Sequence, residues 1–310
     1  MEKNTRKIGT IVIIILILLI LVLLFFAFNF YNSYINKNNE YKELNDKYDQ
    51  LVLNNNQLLD KQKNINDELD RLVNIDDNIS NIKKKVFELA SQLEQKIKNG
   101  ESDVKIAYLT FDDGPYYLTY DYLDVLDRYG VKATFFTIGF QKTSCYDNAS
   151  YDCTKLYKEI VDRGHTIANH TYSHAIFFGL YNSVDSFMKQ VEKHENYIKD
   201  LTGVVTNIVR FPGGVASAGR LKEGIKSALK EKKYGWVDWT AIDGDGGDLR
   251  STNEAWEKFT KSINEDIEVV LMHDYSSITL SILPKAIEYL QENNYIILPL
   301  FYESVMINKS

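Results

Sequence analysis

The C-terminal two-thirds of this 310-residue chain predicts an α/β fold, a distorted (β/α) barrel of seven or eight parallel strands. Two observations predict it. After Gly100, short apolar runs alternate with amphipathic stretches, and polar or glycine-containing turns separate them at the spacing of βαβ units. The residues immediately after those runs are carboxylates, imidazoles and glycine turns, as expected where a parallel sheet gathers reactive groups at its carboxyl ends.

Three regions precede or form this unit. Residues 1–8 carry Lys3, Arg6 and Lys7, and Gly9 to Phe30 carries no charge at all. At about 1.5 Å per residue that run is long enough to cross a hydrocarbon core of about 30 Å as a helix. It is longer than the apolar part of a cleavable signal peptide and ends without a small-residue cleavage site, so an uncleaved span is expected. The basic flank assigns residues 1–8 to the cytoplasm and everything after Phe30 to the outside, making the chain a single-pass protein of the cell membrane.

Residues 31–99 read as a coiled-coil stalk. Leu44, Leu51, Leu58, Ile65, Leu72, Ile79, Val86 and Leu93 recur every seven residues. The second seam position is often polar (Asn55, Gln62, Asp76, Lys83), a pattern suited to a weak parallel dimer or trimer. A single amphipathic helix, or one folded back on the globular region, is the alternative. Fully helical, residues 36–98 would extend roughly 90 Å.

In the globular region, 100–310, strands are predicted at VKIAYLTF, KATFFTIG, HTIAN, TNIVRF, YGWVDW, EVVLMH and YIILPL. Helical patterns lie at 118–130, 154–164, 183–200, 219–231, 253–263 and 277–294. The formal net charge of −7 excludes a protein that works by neutralising nucleic-acid phosphates. Cys145 and Cys153 share one polar stretch, where a local disulfide is permitted outside the cytoplasm.

Each strand end carries chemistry. Asp112 and Asp113 precede a Gly114-Pro115 turn, and neighbouring carboxylates in one turn can divide the work of metal ligand and general base. His170 and His174 follow the third run at a spacing that sets two imidazoles side by side. With one strand-end carboxylate they form a two-histidine, one-carboxylate set that binds a divalent ion and leaves positions open. Arg210 to Gly214 closes the fourth run with a glycine turn able to present backbone N–H groups, and His273 ends the sixth. His194 in a polar helix and His165 at a strand start read as ordinary histidines.

These segments, TFDDGP at 110–115, HTYSH at 170–174, RFPGG at 210–214 and LMH at 271–273, resemble in identity and order the motifs of the polysaccharide deacetylase family, which shares the NodB homology domain. The resemblance covers about residues 104–300. It implies that Asp113, His170 and His174 hold one divalent metal, zinc by preference with cobalt, nickel or manganese as alternatives. It further implies Asp112 as general base, His273 as general acid and Arg210 as part of the groove wall; the glycine turn itself makes the Gly213 N–H the candidate oxyanion donor. The fourth family motif is present only loosely, so Asp245 is assigned to orient His273, with Asp243 next. No tryptophan follows Asp245, and Gly213 stands where many peptidoglycan-active members carry tyrosine. The implied activity is removal of acetyl groups from N-acetylated sugars of a cell-surface polysaccharide. Peptidoglycan is the leading substrate, an exopolysaccharide or other wall glycan the alternative, and a catalytically silent glycan-binding surface protein the rival from another class.

Overall fold

The computed structural model describes residues 35–39, 41–63, 79–139 and 153–308. The predicted span at 9–30 lies outside the described residues, as do residues 31–34, 40 and 64–78 of the predicted stalk. Among the described residues no helix is long and apolar enough to cross a membrane. Residues 41–63 are helical, and Leu44, Leu51 and Leu58 on their seven-residue repeat are exposed.

The second compact unit, from residue 62 onward, carries all eight strands. These are β1 (Lys105–Asp112), β2 (Thr134–Thr137), β3 (Thr166–Asn169), β4 (Ile208–Val209), β5 (Gly235–Trp236), β6 (Ala241–Ile242), β7 (Ile267–His273) and β8 (Tyr295–Ile297). The helices are α1 (Ile79–Lys98), α2 (Thr119–Arg128), α3 (Thr154–Asp162), α4 (Val184–Thr202), α5 (Lys222–Glu231), α6 (Thr252–Ser262) and α7 (Ser277–Glu292). Every ladder is parallel, in the order β5-β4-β3-β2-β1-β7-β6, and β8 pairs with the start of β1. Among the described residues no ladder joins β5 to β6, so the sheet curls as a half-barrel and stays open there. The sequence reading missed β6, a two-residue strand whose Ile242 is partly exposed and which gives no apolar run to detect.

Strand periodicity explains how the sheet supplies both core and site. On β1, Ala107, Leu109 and Phe111 face the helices, packing with Leu123, Leu126, Phe259 and Leu290. Ile106 and Tyr108 face the interior beside Val269 of β7. Since side chains alternate across a strand, Thr110 and Asp112 continue the interior row. In register, Asp112 stands beside His273, and Thr137 stands beside Asn169, which in turn pairs with Val209. Residues 112, 170, 210 and 273 therefore reach one level at the carboxyl end of the sheet.

The opposite end is closed by α1, which the sequence reading assigned wholly to the stalk. Ile97 is buried in the interior cluster, and Phe87, Ala90 and Leu93 pack against it, the spacing of one helix face. Glu94 is fully buried. Its carboxylate accepts hydrogen bonds from Tyr108 Oη (2.7 Å), Ser304 Oγ (2.6 Å) and the Val305 N–H (3.0 Å). The packed unit thus begins before residue 100, and for this stretch the helix folded back on the globular region is the form observed. Cys153, just before α3, is disulfide-bonded, and Cys145 lies outside the described residues.

Candidate active site

Asp112 ends β1 on its interior face, and Asp113 then adopts φ 70°, which swings its carboxylate back over the sheet end. Space under this turn exists because residue 114 is glycine: a Cβ there would stand 2.2 Å from Asp274 Oδ2. The histidine pair sits in an irregular loop, since Thr171 and His174 both have positive φ (66° and 48°). The loop is secured locally. The His170 N–H donates to Thr137 O (2.9 Å), the Thr171 N–H to Asn169 Oδ1 (2.9 Å) and the His174 N–H to Thr171 Oγ1 (3.2 Å).

These turns bring Asp113, His170 and His174 together, with one ligand atom from each lying within 4.8 Å of the others. Asp113 Oδ1 is 3.4 Å from His174 Nε2 and 3.6 Å from His170 Nε2. The residues fit a divalent cation on two counts. Asp113 Oδ1 is buried without a hydrogen-bond donor among the described residues. His170 Nδ1 is 2.8 Å from Arg210 O, so it carries the proton and donates to that carbonyl, which turns the bare Nε2 toward Asp113. Burial, then the neighbouring His174, hold the His170 imidazole well below its ordinary pKa and so keep it neutral, the form a metal needs.

Asp112 lies beside this set, its Oδ2 3.6 Å from His170 Nε2. Its other oxygen accepts from Arg210 Nη1 at 2.8 Å. The Arg210 side chain is fully buried rather than lining a surface. It also donates to Thr110 Oγ1 (2.7 Å), Val237 O (3.2 Å) and Asp238 O (3.1 Å), and lies 4.1 Å over the Phe136 ring. Arg210 therefore sits under the groove and fixes Asp112. Burial pushes Asp112 up to about 6 even though Arg210 and His273 pull the other way.

His273 Nε2 faces Asp113 Oδ2 at 3.9 Å, and its Nδ1 pairs with Asp245 Oδ1 at 2.7 Å. The His273 N–H donates to Asp245 Oδ2 (2.7 Å), so Asp245, rather than Asp243, grips the residue twice. Asp243 stands one layer back, accepting from the Asp245 N–H (3.1 Å) and from Thr279 Oγ1 (2.6 Å). Burial alone would lower His273. The Asp245 carboxylate, then Asp112 and Asp113, outweigh it and hold the imidazole up at about 9.

Gly213 is exposed at φ 72°, and a Cβ there would meet Ser217 Oγ at 2.7 Å and Ile176 Cδ1 at 3.3 Å. The 211–214 turn that contains it is closed by the Gly214 N–H on Phe211 O (2.8 Å), which leaves the Gly213 N–H out of that bond.

Several residues of this site escaped the sequence reading. Asp274 is fully buried, accepts from Thr119 Oγ1 (2.5 Å), and leaves Oδ1 without a partner among the described residues. Burial pushes it up to about 7, so it is in part a neutral acid beneath the Gly114 turn. Its adjacency to His273 was the available signal. Thr110 and Thr279 are hydroxyl bridges, one to Arg210 and one between Asp243 and Asp245; Thr110 opens the TFDDGP segment but had no role assigned, and nothing in the local sequence marks Thr279. His194, read as an ordinary histidine in a polar helix, is buried, with Nε2 3.0 Å from Thr137 Oγ1.

Known proteins resemble the chain in sequence and fold. The polysaccharide deacetylase profile matches residues 99–230. The chain is 30% identical over 217 residues to the putative polysaccharide deacetylase YheN of Bacillus subtilis, covering 67% of this chain and 70% of that protein. It is 29% identical over 199 residues to a peptidoglycan-N-acetylglucosamine deacetylase of Bacillus cereus, covering 62% and 67%. Among solved structures, the catalytic domain of peptidoglycan N-acetylglucosamine deacetylase from Eubacterium rectale superposes with a TM-score of 0.59 at 32% identity, covering 66% of this chain and 91% of that one. With sequence and fold in agreement, the chain belongs to the polysaccharide deacetylase family.

Proposed function

We propose that the chain hydrolyses the N-acetyl groups of a cell-surface glycan, with N-acetylglucosamine of peptidoglycan as its substrate, and releases acetate. The single observation that carries this reading is the convergence of Asp113, His170 and His174 between Asp112 on one side and His273 on the other. The names of the Bacillus cereus and Eubacterium rectale relatives support the choice of substrate.

Amide hydrolysis needs an activated water, a stabilised oxyanion and a proton for the departing amine. Asp113, His170 and His174 would hold a divalent ion, zinc in our reading, which when bound would supply Lewis acidity toward the acetyl carbonyl and the attacking water. Asp112 accepts the proton of that water on Oδ2, the oxygen left free by Arg210. Arg210 fixes the carboxylate through a buried ion pair and so acts as a positioning residue. The Gly213 N–H, unused by its own turn, donates to the developing oxyanion. His273, protonated because Asp245 grips its Nδ1, gives the Nε2 proton to the sugar nitrogen as the C–N bond breaks.

The rest of the chain places this chemistry. Residues 9–30 anchor it in the cell membrane, residues 1–8 stay in the cytoplasm and everything after Phe30 lies outside, with exposed Leu44, Leu51 and Leu58 as the seam for a second copy.

Acetate release from peptidoglycan, compared with an acetylated exopolysaccharide, tests the function. Peptidoglycan is expected to be hydrolysed. Release from neither polymer by the metal-loaded protein would leave a glycan-binding surface protein instead.

A further inference from the structure

The most exposed large apolar side chains of the catalytic unit, among the described residues, are Phe177 and Phe178, at 91% and 89% of full exposure. They lie three and four residues beyond His174, so at about 3.8 Å per residue they stand close to the reacting centre. Their turn is rigidly held. The Ile176 N–H donates to His174 O (2.9 Å), and the N–H groups of Phe178 and Leu180 donate to Ala175 O (3.0 and 3.1 Å). Beyond the rings, Leu180 is buried and Tyr181 Oη donates to Pro212 O (2.8 Å), tying the turn to the Arg210–Gly214 segment. Ile176 reaches the space over Gly213, making the apolar surface continuous with the groove. Two phenyl rings fixed in water beside a site contribute nothing to the core, and exposed apolar surface of this kind marks a binding face.

A second aromatic surface faces the site from the other flank. The Tyr275 ring lies 4.9 Å from the His273 ring and 6.1 Å from Tyr116, edge to face, and Tyr116 lies 4.8 Å from Tyr117. Tyr117 and Tyr275 are both exposed. No Lys or Arg occurs at 113–117, 174–181 or 273–277, so neither surface suits an anionic lipid, which would require basic residues. A neutral pyranose fits both. Its C–H face lies on an aromatic ring while its hydroxyls remain in water or reach a phenol oxygen.

We propose that Phe177–Phe178 and Tyr275–Tyr116–Tyr117 are two sugar-binding shelves, one on each side of the reacting unit, so that the preferred substrate is a glycan chain occupying both shelves rather than a short fragment. This rests on the hydrolytic reading above. It is tested with the full-length protein, loaded with zinc, on N-acetylglucosamine oligomers of two and six units. Phe177→Ser/Phe178→Ser, and separately Tyr117→Ser, are expected to lower the six-unit to two-unit ratio of kcat/KM about tenfold. Phe177→Tyr/Phe178→Tyr restores the ratio. A ratio that does not move in either variant overturns the proposal. If the wild-type protein released acetate from neither oligomer, the hydrolytic reading would fail, and the shelves would still be tested by co-sedimentation with insoluble peptidoglycan. Wild-type protein in the pellet with the variants left in solution supports the shelves; equal pelleting overturns them and leaves the rings to a lipid or protein surface.

Discussion

Replacing Arg210 with methionine, an uncharged side chain of similar volume, removes a fully buried cation. The structure sets the size of the effect. Four side-chain hydrogen bonds disappear, to Asp112, Thr110, Val237 and Asp238. Asp112, only 2% exposed, is left as an unpaired carboxylate. Breaking a buried ion pair by removing one partner costs about 3–5 kcal/mol. Asp112→Asn is milder, because three acceptors remain for the guanidinium and an amide oxygen can replace the fourth, so about 1–3 kcal/mol is expected. The double variant Arg210→Met/Asp112→Asn should be more stable than the sum of the two single costs by about 2 kcal/mol, the signature of direct coupling. Urea unfolding of a fragment beginning at Ile79, in metal-free buffer, measures all four corners of the cycle, provided the m-values agree. Strict additivity, or a single Arg210→Met cost below about 1 kcal/mol, would refute the assignment of Arg210 as the residue that fixes Asp112.

Other consequences follow from the same geometry. A fragment starting at residue 100 loses buried Ile97 and the Glu94 carboxylate under Tyr108 and Ser304, and its urea midpoint should fall by the equivalent of several kcal/mol, about 3–6, relative to one starting at Ile79. Asp245→Asn should lower turnover by about 10²–10⁴-fold, whereas Asp243→Asn, one layer further from His273, should cost about tenfold or less in steady-state assays. Burial lowers His165 and His194 to about 3. The unfolded state therefore binds more protons below the ordinary histidine pKa of about 6.5, and stability present above that pH is lost as the pH falls toward 3. At pH 5 the loss is about 2 kcal/mol for each histidine, and unfolding midpoints of wild type and His194→Gln between pH 7 and pH 5 check it.

Much of the site was legible because parallel sheets concentrate function at strand ends, and the runs ending at Asp112, Asn169, Val209 and His273 are apolar enough to locate. What escaped was set by long-range contacts. Glu94 looks like an exposed stalk residue, and its partners Tyr108 and Ser304 lie 14 and 210 positions away. Leu93 of the seven-residue repeat and Ala90 and Ile97 at its partner positions all lie on the docked face beside Phe87 and Glu94, so the repeat alone does not separate a stalk from a docked helix. The choice between Asp243 and Asp245 depended on a turn whose φ angles no motif specifies; the structure puts Asp245 against the His273 imidazole. Arg210 read equally well as a wall residue, and only the fold shows its guanidinium spanning from β1 to the carbonyls of Val237 and Asp238.

Zinc binding measured by equilibrium dialysis and elemental analysis, on the wild-type protein and on Asp113→Ala, His170→Ala and His174→Ala, tests the central claim most directly. One zinc per wild-type chain, with loss of the ion and of acetate release in each variant, is the predicted result. A stoichiometric ion that survives all three substitutions, or acetate release undiminished in His170→Ala, would contradict it.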